Sequence, residues 1–158
     1  MSKGMDLAHL DDQSLLSLRV KVETEMSSRG LAFSVGAIGE ELAIVHFNST
    51  RGLPTLLAAP PGTKNVDALS RDGERYSIKT QLKAKKSGTI YPDDEDPDRQ
   101  LFEYLLIVRL KPDYSLKSIH RFSWDNFVTL RSWDRRMSAW YLSCSGKNLH
   151  QGEVIFEP

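Results

Sequence analysis

The sequence predicts a fold of mixed α and β structure (α/β or α+β), in which helices flank a central mixed β-sheet. Three observations predict it. Apolar residues recur at helical spacing in two segments near the start of the chain. Apolar and polar residues alternate on both sides of an Asp-Gly pair within residues 64–83, which is typical of a β-hairpin. The most apolar run of the chain, residues 103–110, is typical of a strand that is buried on both faces.

The composition bounds the class of protein. With 158 residues, 40% of them hydrophobic, the chain is expected to form one domain with a real core. The formal net charge is zero, so this is not a globally basic nucleic-acid binder. No run approaches the roughly 20 apolar residues of a membrane span, and the N-terminus lacks the apolar core of a signal peptide. A single cysteine, Cys144, permits neither an internal disulfide nor a cysteine-rich zinc site. We therefore expect a cytoplasmic protein with no membrane partner.

The first helix is predicted from its boundary signals. Asp11 or Asp12 can cap a helix that continues to about Arg29, and Gly30 is its stop signal. Its apolar residues are expected to be packing positions: Leu15, Leu16, Leu18, Val22 and Met26. We assign no chemistry to this helix.

A second helix is predicted from residue 35 to about residue 47, with Ser34 as its cap. The apolar residues at helical spacing should form its core face: Val35, Ile38, Leu42 and Val45. Gly36 and Gly39 are poor helix formers, and their presence on adjacent turns indicates a close approach to the sheet or to a ligand. Glu40 and Glu41 lie in this mostly apolar segment. Acids in the N-terminal half of a helix are also favoured by the helix dipole alone.

The hairpin has one register that separates apolar from polar side chains. A two-residue Asp72-Gly73 loop would mix them on both faces. A three-residue loop, residues 71–73, with Gly73 in the left-handed conformation, pairs Ala68 with Tyr76 and Val66 with Ile78. Because register normally follows the apolar pattern, we predict the three-residue loop.

That register places Asp67 opposite Ser77 and diagonal to Lys79, on the other face of the hairpin. Together with a carboxylate from a helix as the third group, an Asp and a Lys in this position form an arrangement that can hydrolyse phosphodiesters. The Asp would hold a divalent cation, and the Lys would orient a water or stabilise developing charge. An ordinary cross-strand ion pair is the alternative reading of the same two residues.

The remaining segments complete the sheet. A strand begins near Thr55, residues 85–99 form an exposed polar loop, and residues 103–110 and 115–122 form the next two strands. Ser123 caps a helix within residues 124–133, and residues 137–143 and 153–156 form closing strands. We interpret His120 and the tryptophans as packing groups rather than ligands or base-stacking platforms.

The order of these elements, with GxxxE from Gly36 to Glu40, Val66-Asp67 and Ile78-Lys79, resembles the PD-(D/E)xK nuclease superfamily. That superfamily has the fold of type II restriction endonucleases and archaeal Holliday-junction resolvases. The resemblance spans residues 34–122, and it implies a single restriction-endonuclease-like domain over residues 1–158. In it, residues 1–30 form an N-terminal helix, residues 34–122 the nuclease core, and residues 123–158 the C-terminal helix and strands.

The resemblance also implies roles for individual residues. Asp67 corresponds to the metal-holding aspartate, Lys79 to the motif lysine and Glu40 to the helical glutamate, with Mg²⁺ or Mn²⁺ as the cofactor. Glu41 is the alternative metal ligand, because helical phase places it nearer the core edge than Glu40. Ser77 departs from the pattern, since it stands where the motif has Asp or Glu and so removes a charged ligand.

The expected function is a Mg²⁺-dependent endonuclease that hydrolyses DNA in restriction, phage defence or repair. Ser77 and Gln81 would be neutral hydrogen-bonding neighbours of the metal ligands. Lys83, Lys85 and Lys86 would contact phosphates, an interaction that weakens with salt. RNA stays open as a substrate, and the resemblance implies a homodimer, because restriction-type enzymes pair to cut two strands. The alternative is a catalytically degenerate module that binds nucleic acid or a protein partner, which the loss of an acid at Ser77 favours.

Overall fold

The computed structural model describes residues 4–31 and 33–158, and it contains two compact units, one within residues 1–34 and one formed by residues 35–158. The first unit contains helix α1 (Asp12–Ser28). The second contains all the other elements: α2 (Val35–Ser49), β1 (Leu56–Ala58), β2 (Ala68–Ser70), β3 (Arg75–Gln81), β4 (Tyr104–Leu110), β5 (Leu116–Ser123), α3 (Trp124–Leu130), β6 (Ser132–Asp134), β7 (Ala139–Tyr141), α4 (Gly146–Leu149) and β8 (Glu153–Phe156). Within these ranges, no helix has the length and apolarity needed to cross a bilayer.

Helix α1 has the predicted ends but not the predicted packing. The Asp11 side chain accepts a hydrogen bond from the Ser14 N–H at 2.7 Å, so Asp11 is the N-cap. Gly30 (φ +66°) follows the C-cap, and the Gly30 and Leu31 N–H groups close the last turn, as in a Schellman motif. No residue of the helix is buried, however. The prediction that its apolar residues are packing positions is therefore wrong for Leu15, Leu16 and Val22, which are exposed, whereas Leu18 and Met26 are partly buried.

The second unit is built on a six-stranded sheet with the strand order β1-β2-β3-β4-β5-β8. Strands β3 and β4 are parallel, and every other neighbouring pair in this sheet is antiparallel. Strands β6 and β7 form a separate two-stranded sheet. The central sheet is therefore mixed and helices pack against it, which confirms the predicted α+β class.

The hairpin formed by β2 and β3 has the predicted register at Ala68 and Leu69, whereas the predicted pairs of Val66 with Ile78 and Asp67 with Ser77 are not part of the ladder. Ala68 pairs with Tyr76, and the turn closes through a hydrogen bond from the Ser70 N–H to the Glu74 carbonyl at 3.0 Å. Residues 71–73 form the loop, and Gly73 has the left-handed conformation (φ +83°) that a side chain would disfavour. The apolar alternation was thus sufficient to select the register.

Strand β4 lies at the centre of the sheet and separates two apolar clusters. On one face, Leu106 and Val108 pack with Tyr76, Ile78 and helix α2. On the other face, Leu105 and Ile107 pack with helix α3 and the C-terminal segments. A strand with both faces covered must be apolar at almost every position, which explains why β4 is so rich in apolar residues.

Helix α2 lies on the sheet through one row of residues, and its closest approach is at a glycine. Its buried residues are Gly39, Ala43 and Phe47, which are four residues apart. A Cβ at Gly39 would lie 2.6 Å from Thr80 Cβ, so only glycine permits this approach. Glycine therefore marks contact with the sheet here, whereas a Cβ at Gly36 would meet nothing within 4 Å. The assignment of Val45 to the core face is wrong, since Val45 is 57% exposed.

The C-terminal third contains more short elements than the sequence predicts. Helix α3 ends at Leu130, because the chain becomes extended at Arg131 (ψ 151°) and enters β6. The short helix α4, capped by the Ser145 side chain, was not predicted. The polar loop at residues 85–99 is also not wholly exposed, since Ile90 is 1% exposed and hydrogen-bonds to Trp140 through both of its backbone groups.

Candidate nuclease site

Asp67 is held where the chain enters strand β2. Its N–H donates to the Tyr76 carbonyl at 2.8 Å, and its Oδ2 accepts a hydrogen bond from the Ile78 N–H at 2.7 Å. The preceding residue, Val66, is only 8% exposed and fixes the backbone in the core. The carboxylate is therefore tied to the backbone of β3 while remaining half-buried, which is suited to a fixed oxygen ligand.

Glu40 lies near Asp67, one residue after the glycine that packs against the sheet. It is half-buried, and its carboxyl group interacts with the Asp67 carboxylate and the Lys79 ammonium. Burial raises the pKa of Glu40 above its ordinary value of 4.5; the charge and hydrogen bonding of Asp67 raise it further, and Lys79 acts in the opposite direction. The expectation that Glu41 lies nearer the core edge is wrong, since Glu41 is exposed. The rotation of α2 about its own axis, which the Gly39 contact fixes, determines that Glu40 rather than Glu41 is half-buried.

Lys79 lies on β3 beside Ile107 of the parallel strand β4. A Cβ at Gly88 would lie 3.8 Å from Lys79 Cδ, so the loop after β3 passes close to the lysine stem. Within residues 4–31 and 33–158, no carboxylate oxygen lies within 4.0 Å of the Lys79 ammonium nitrogen, so Lys79 forms no ion pair there. The simple cross-strand ion pair with Asp67 therefore does not form, although Lys79 is near enough to act on the pKa of Glu40.

The two neutral residues on the Lys79 side of β3 are both buried. Ser77 is 2% exposed and Gln81 is 3% exposed. The Gln81 amide makes no hydrogen bond through either Nε2 or Oε1. The Cys144 thiol lies near this amide. Burial raises the pKa of the thiol, and the Gln81 amide acts in the opposite direction. A thiol is, however, only a weak hydrogen-bond partner. Gln81 is therefore a buried polar group without a strong partner.

Glu40 and Asp67 are neighbouring carboxylates, and carboxylate oxygens are the ligands that hard divalent cations prefer. Two carboxylates held close together repel each other, and a cation with oxygen ligands relieves that repulsion. Among the described residues, no group of three or more His, Cys, Asp or Glu side chains is arranged to hold a metal. Ser77 supplies no charged ligand, so Glu40 and Asp67 are the two carboxylates of this site that could hold a cation.

The three lysines predicted to contact phosphate differ in whether they already have a partner in the structure. Lys86 lies 3.6 Å from Asp134 and 4.7 Å from the centre of the Tyr141 ring, so it is already occupied. Lys83 and Lys85 are exposed and form no ion pair within the described part of the chain. Sequence reasoning missed Arg109, which the parallel register places beside Gln81. The available signal was that Arg109 is the only charged residue in β4.

Comparison with known proteins does not extend this picture, since no protein-family model and no curated protein matches the chain.

Proposed function

We propose that the chain is a metal-dependent endonuclease of the PD-(D/E)xK type, with a restriction-endonuclease-like core, that hydrolyses DNA phosphodiester bonds. The observation that carries the proposal is the juxtaposition of Glu40, Asp67 and Lys79. Gly39, next to Glu40, packs on Thr80 of β3, and the Asp67 Oδ2 accepts from the Ile78 N–H. Both contacts are with residues adjacent to Lys79, and the charges of Asp67 and Lys79 both act on the pKa of Glu40. The local sequence preferences of these segments do not require the three side chains to lie close together.

Each side chain has a role that follows from its setting. Glu40 and Asp67 would hold Mg²⁺ or Mn²⁺, which supplies polarisation of the phosphate and an activated water when bound. The Ile78 N–H fixes the orientation of the Asp67 carboxylate. Lys79 has no ion-pair partner among the described residues, so its ammonium is available to donate to a phosphate oxygen and to stabilise the charge that develops there.

The assay uses the purified protein with Mg²⁺ or Mn²⁺ on duplex, branched and single-stranded DNA, with single-stranded RNA in parallel. We expect cutting by the wild type and its loss in Asp67→Asn and Lys79→Ala. Asn at position 67 can still accept from the Ile78 N–H, so that variant should remain folded. Glu41→Gln is the matched control, since Glu41 is exposed. If the wild type leaves all the nucleic acids intact, the enzymatic proposal fails.

A second candidate, a degenerate module that binds nucleic acid or protein without cutting, is favoured by one observation. Ser77 is buried and neutral at the position where the motif has an acid. Titration with Mn²⁺ separates the two candidates. Binding heat that disappears in Asp67→Asn supports the nuclease, whereas no heat together with retained DNA binding supports the module.

A further inference from the structure

A cavity of about 470 Å³ opens at the carboxyl ends of the parallel strands β3 and β4. Gln81 ends β3, and Arg109 lies next to the last residue of β4. The opposite wall is formed by residues 143–145. The carboxyl ends of parallel strands are a common place for ligand crevices in α/β sheets. The volume falls within the range of small-molecule sites.

The lining of this cavity carries positive charge without a counter-charge. Lys83, Lys85, Arg109 and Lys117 line it, and no Asp or Glu does. None of the four cations forms an ion pair within residues 4–31 and 33–158. In a protein of zero formal net charge, this is a local concentration of cations. Such a cleft attracts anions.

One wall of the cavity is fixed before any ligand arrives. The Lys85 carbonyl accepts a hydrogen bond from the Cys144 N–H at 2.9 Å. Two residues later, the Ser87 Oγ accepts from the Leu142 N–H at 2.9 Å, and the Ser87 N–H donates to the Leu142 carbonyl at 2.8 Å. The loop that carries Lys83 and Lys85 is thus tied to the C-terminal segment. Because the backbone of this loop is already in place, only the two exposed lysine side chains have to be ordered on binding.

The Gln81 amide is a second, independent pointer to a ligand. It is buried at the cavity, and neither of its polar atoms has a hydrogen-bond partner other than the weak one offered by the nearby Cys144 thiol. Burial of an unpaired amide is costly, so such a group calls for a partner. An amide N–H beside several cations is the donor set that binds phosphate oxygens.

We propose that this cavity binds a phosphate group through Arg109, Lys117, Lys83 and Lys85, with the Gln81 amide donating to a phosphate oxygen. The phosphate belongs either to a free phosphorylated compound or to a nucleic-acid strand. Gln81 lies two residues beyond Lys79 on the same side of β3, about 7 Å along the strand. A strand phosphate held here would therefore lie next to the candidate nuclease site, but the proposal does not depend on cutting at that site.

The test is calorimetric titration in EDTA at low salt, so that no metal contributes. The probes are sodium pyrophosphate and a short single-stranded oligonucleotide with and without a 5′-phosphate. The cavity variant is Arg109→Gln/Lys117→Gln, and the matched control is Lys64→Gln/Lys111→Gln, which removes the same charge from exposed lysines outside the cavity. Each charged hydrogen bond to phosphate is worth about a tenfold change in affinity, so we expect the cavity variant to bind at least about tenfold more weakly and the control to change by less than about threefold.

Lys83→Gln/Lys85→Gln provides a second cavity variant in which both residues are exposed, so folding is not at risk. Pyrophosphate binding that both cavity variants weaken supports the proposal with a free ligand. Binding of oligonucleotide alone, weakened in the same way, supports it with a strand phosphate. Absence of heat with every probe overturns the proposal, and so does equal weakening in the cavity variants and the control.

Discussion

The contact between Gly39 and Thr80 gives the sharpest test of how α2 presents Glu40. In Gly39→Ala, the new methyl group would lie 2.6 Å from Thr80 Cβ and closer still to its Oγ1 and Cγ2. Because Thr80 Cβ belongs to the strand, the side chain cannot rotate away, and the helix must move by about 1 Å to restore van der Waals separation. The substitution therefore acts on the helix–sheet distance directly.

The magnitude follows from two opposing effects. Overpacking of a well-packed site costs about 1–3 kcal/mol, and replacement of glycine by alanine in a helix returns up to about 1 kcal/mol. We expect Gly39→Ala to lower the free energy of unfolding by about 2 kcal/mol. Gly36→Ala is the matched control, since its methyl group meets nothing within 4 Å, and it should be neutral or stabilising by up to about 1 kcal/mol.

Urea unfolding measures both variants. With a slope of about 2 kcal/mol per molar urea, the two midpoints should differ by roughly 1–1.5 M. Thr80→Ala removes two of the three crowding atoms, so the double variant Gly39→Ala/Thr80→Ala should be more stable than the sum of the single changes predicts. If Gly39→Ala is as stable as Gly36→Ala, the close approach of α2 to the sheet is refuted.

Three further predictions follow from described residues. In EDTA, Glu40→Gln should gain stability relative to the wild type as the pH rises from about 4 to about 7. The folded state holds the Glu40 proton more tightly than the unfolded chain, because the pKa of Glu40 is raised in the folded state. The stability that this proton contributes to the wild type is therefore lost as the pH rises from about 4.5 through the raised pKa. Urea unfolding at both pH values, with exposed Glu41→Gln as the control, measures this, and parallel curves for the two variants would contradict it. Burial raises the pKa of the Cys144 thiol, so it should resist iodoacetamide in the native protein and react after denaturation; rapid native labelling would be the opposite result. Ser123→Ala should cost about 1 kcal/mol by removing the cap on α3, measured by urea unfolding, and an unchanged midpoint would show that the cap is dispensable.

The features that the sequence predicted correctly depend on local alternation. The hairpin register could be predicted because a one-residue slip would move every apolar side chain to the wrong face. The roll of α2 could not, because its helical pattern allows either Glu40 or Glu41 to face the sheet edge. That choice depends on the tertiary contact of Gly39 with Thr80. Arg109 was missed for a similar reason, since the parallel pairing that places it beside Gln81 involves strands far apart in the chain.

The parallel pairing of β3 and β4 has a consequence for the order in which the protein folds. Parallel neighbours need a long connection, and residues 82–103 provide it here. That connection is fastened by hydrogen bonds between Ser87 and Leu142, which are 55 positions apart. The crossover can be fastened only after residue 142 has been synthesised and has reached Ser87. Contacts of such long sequence separation form slowly, so we expect this fastening to be a late step in the folding of the sheet.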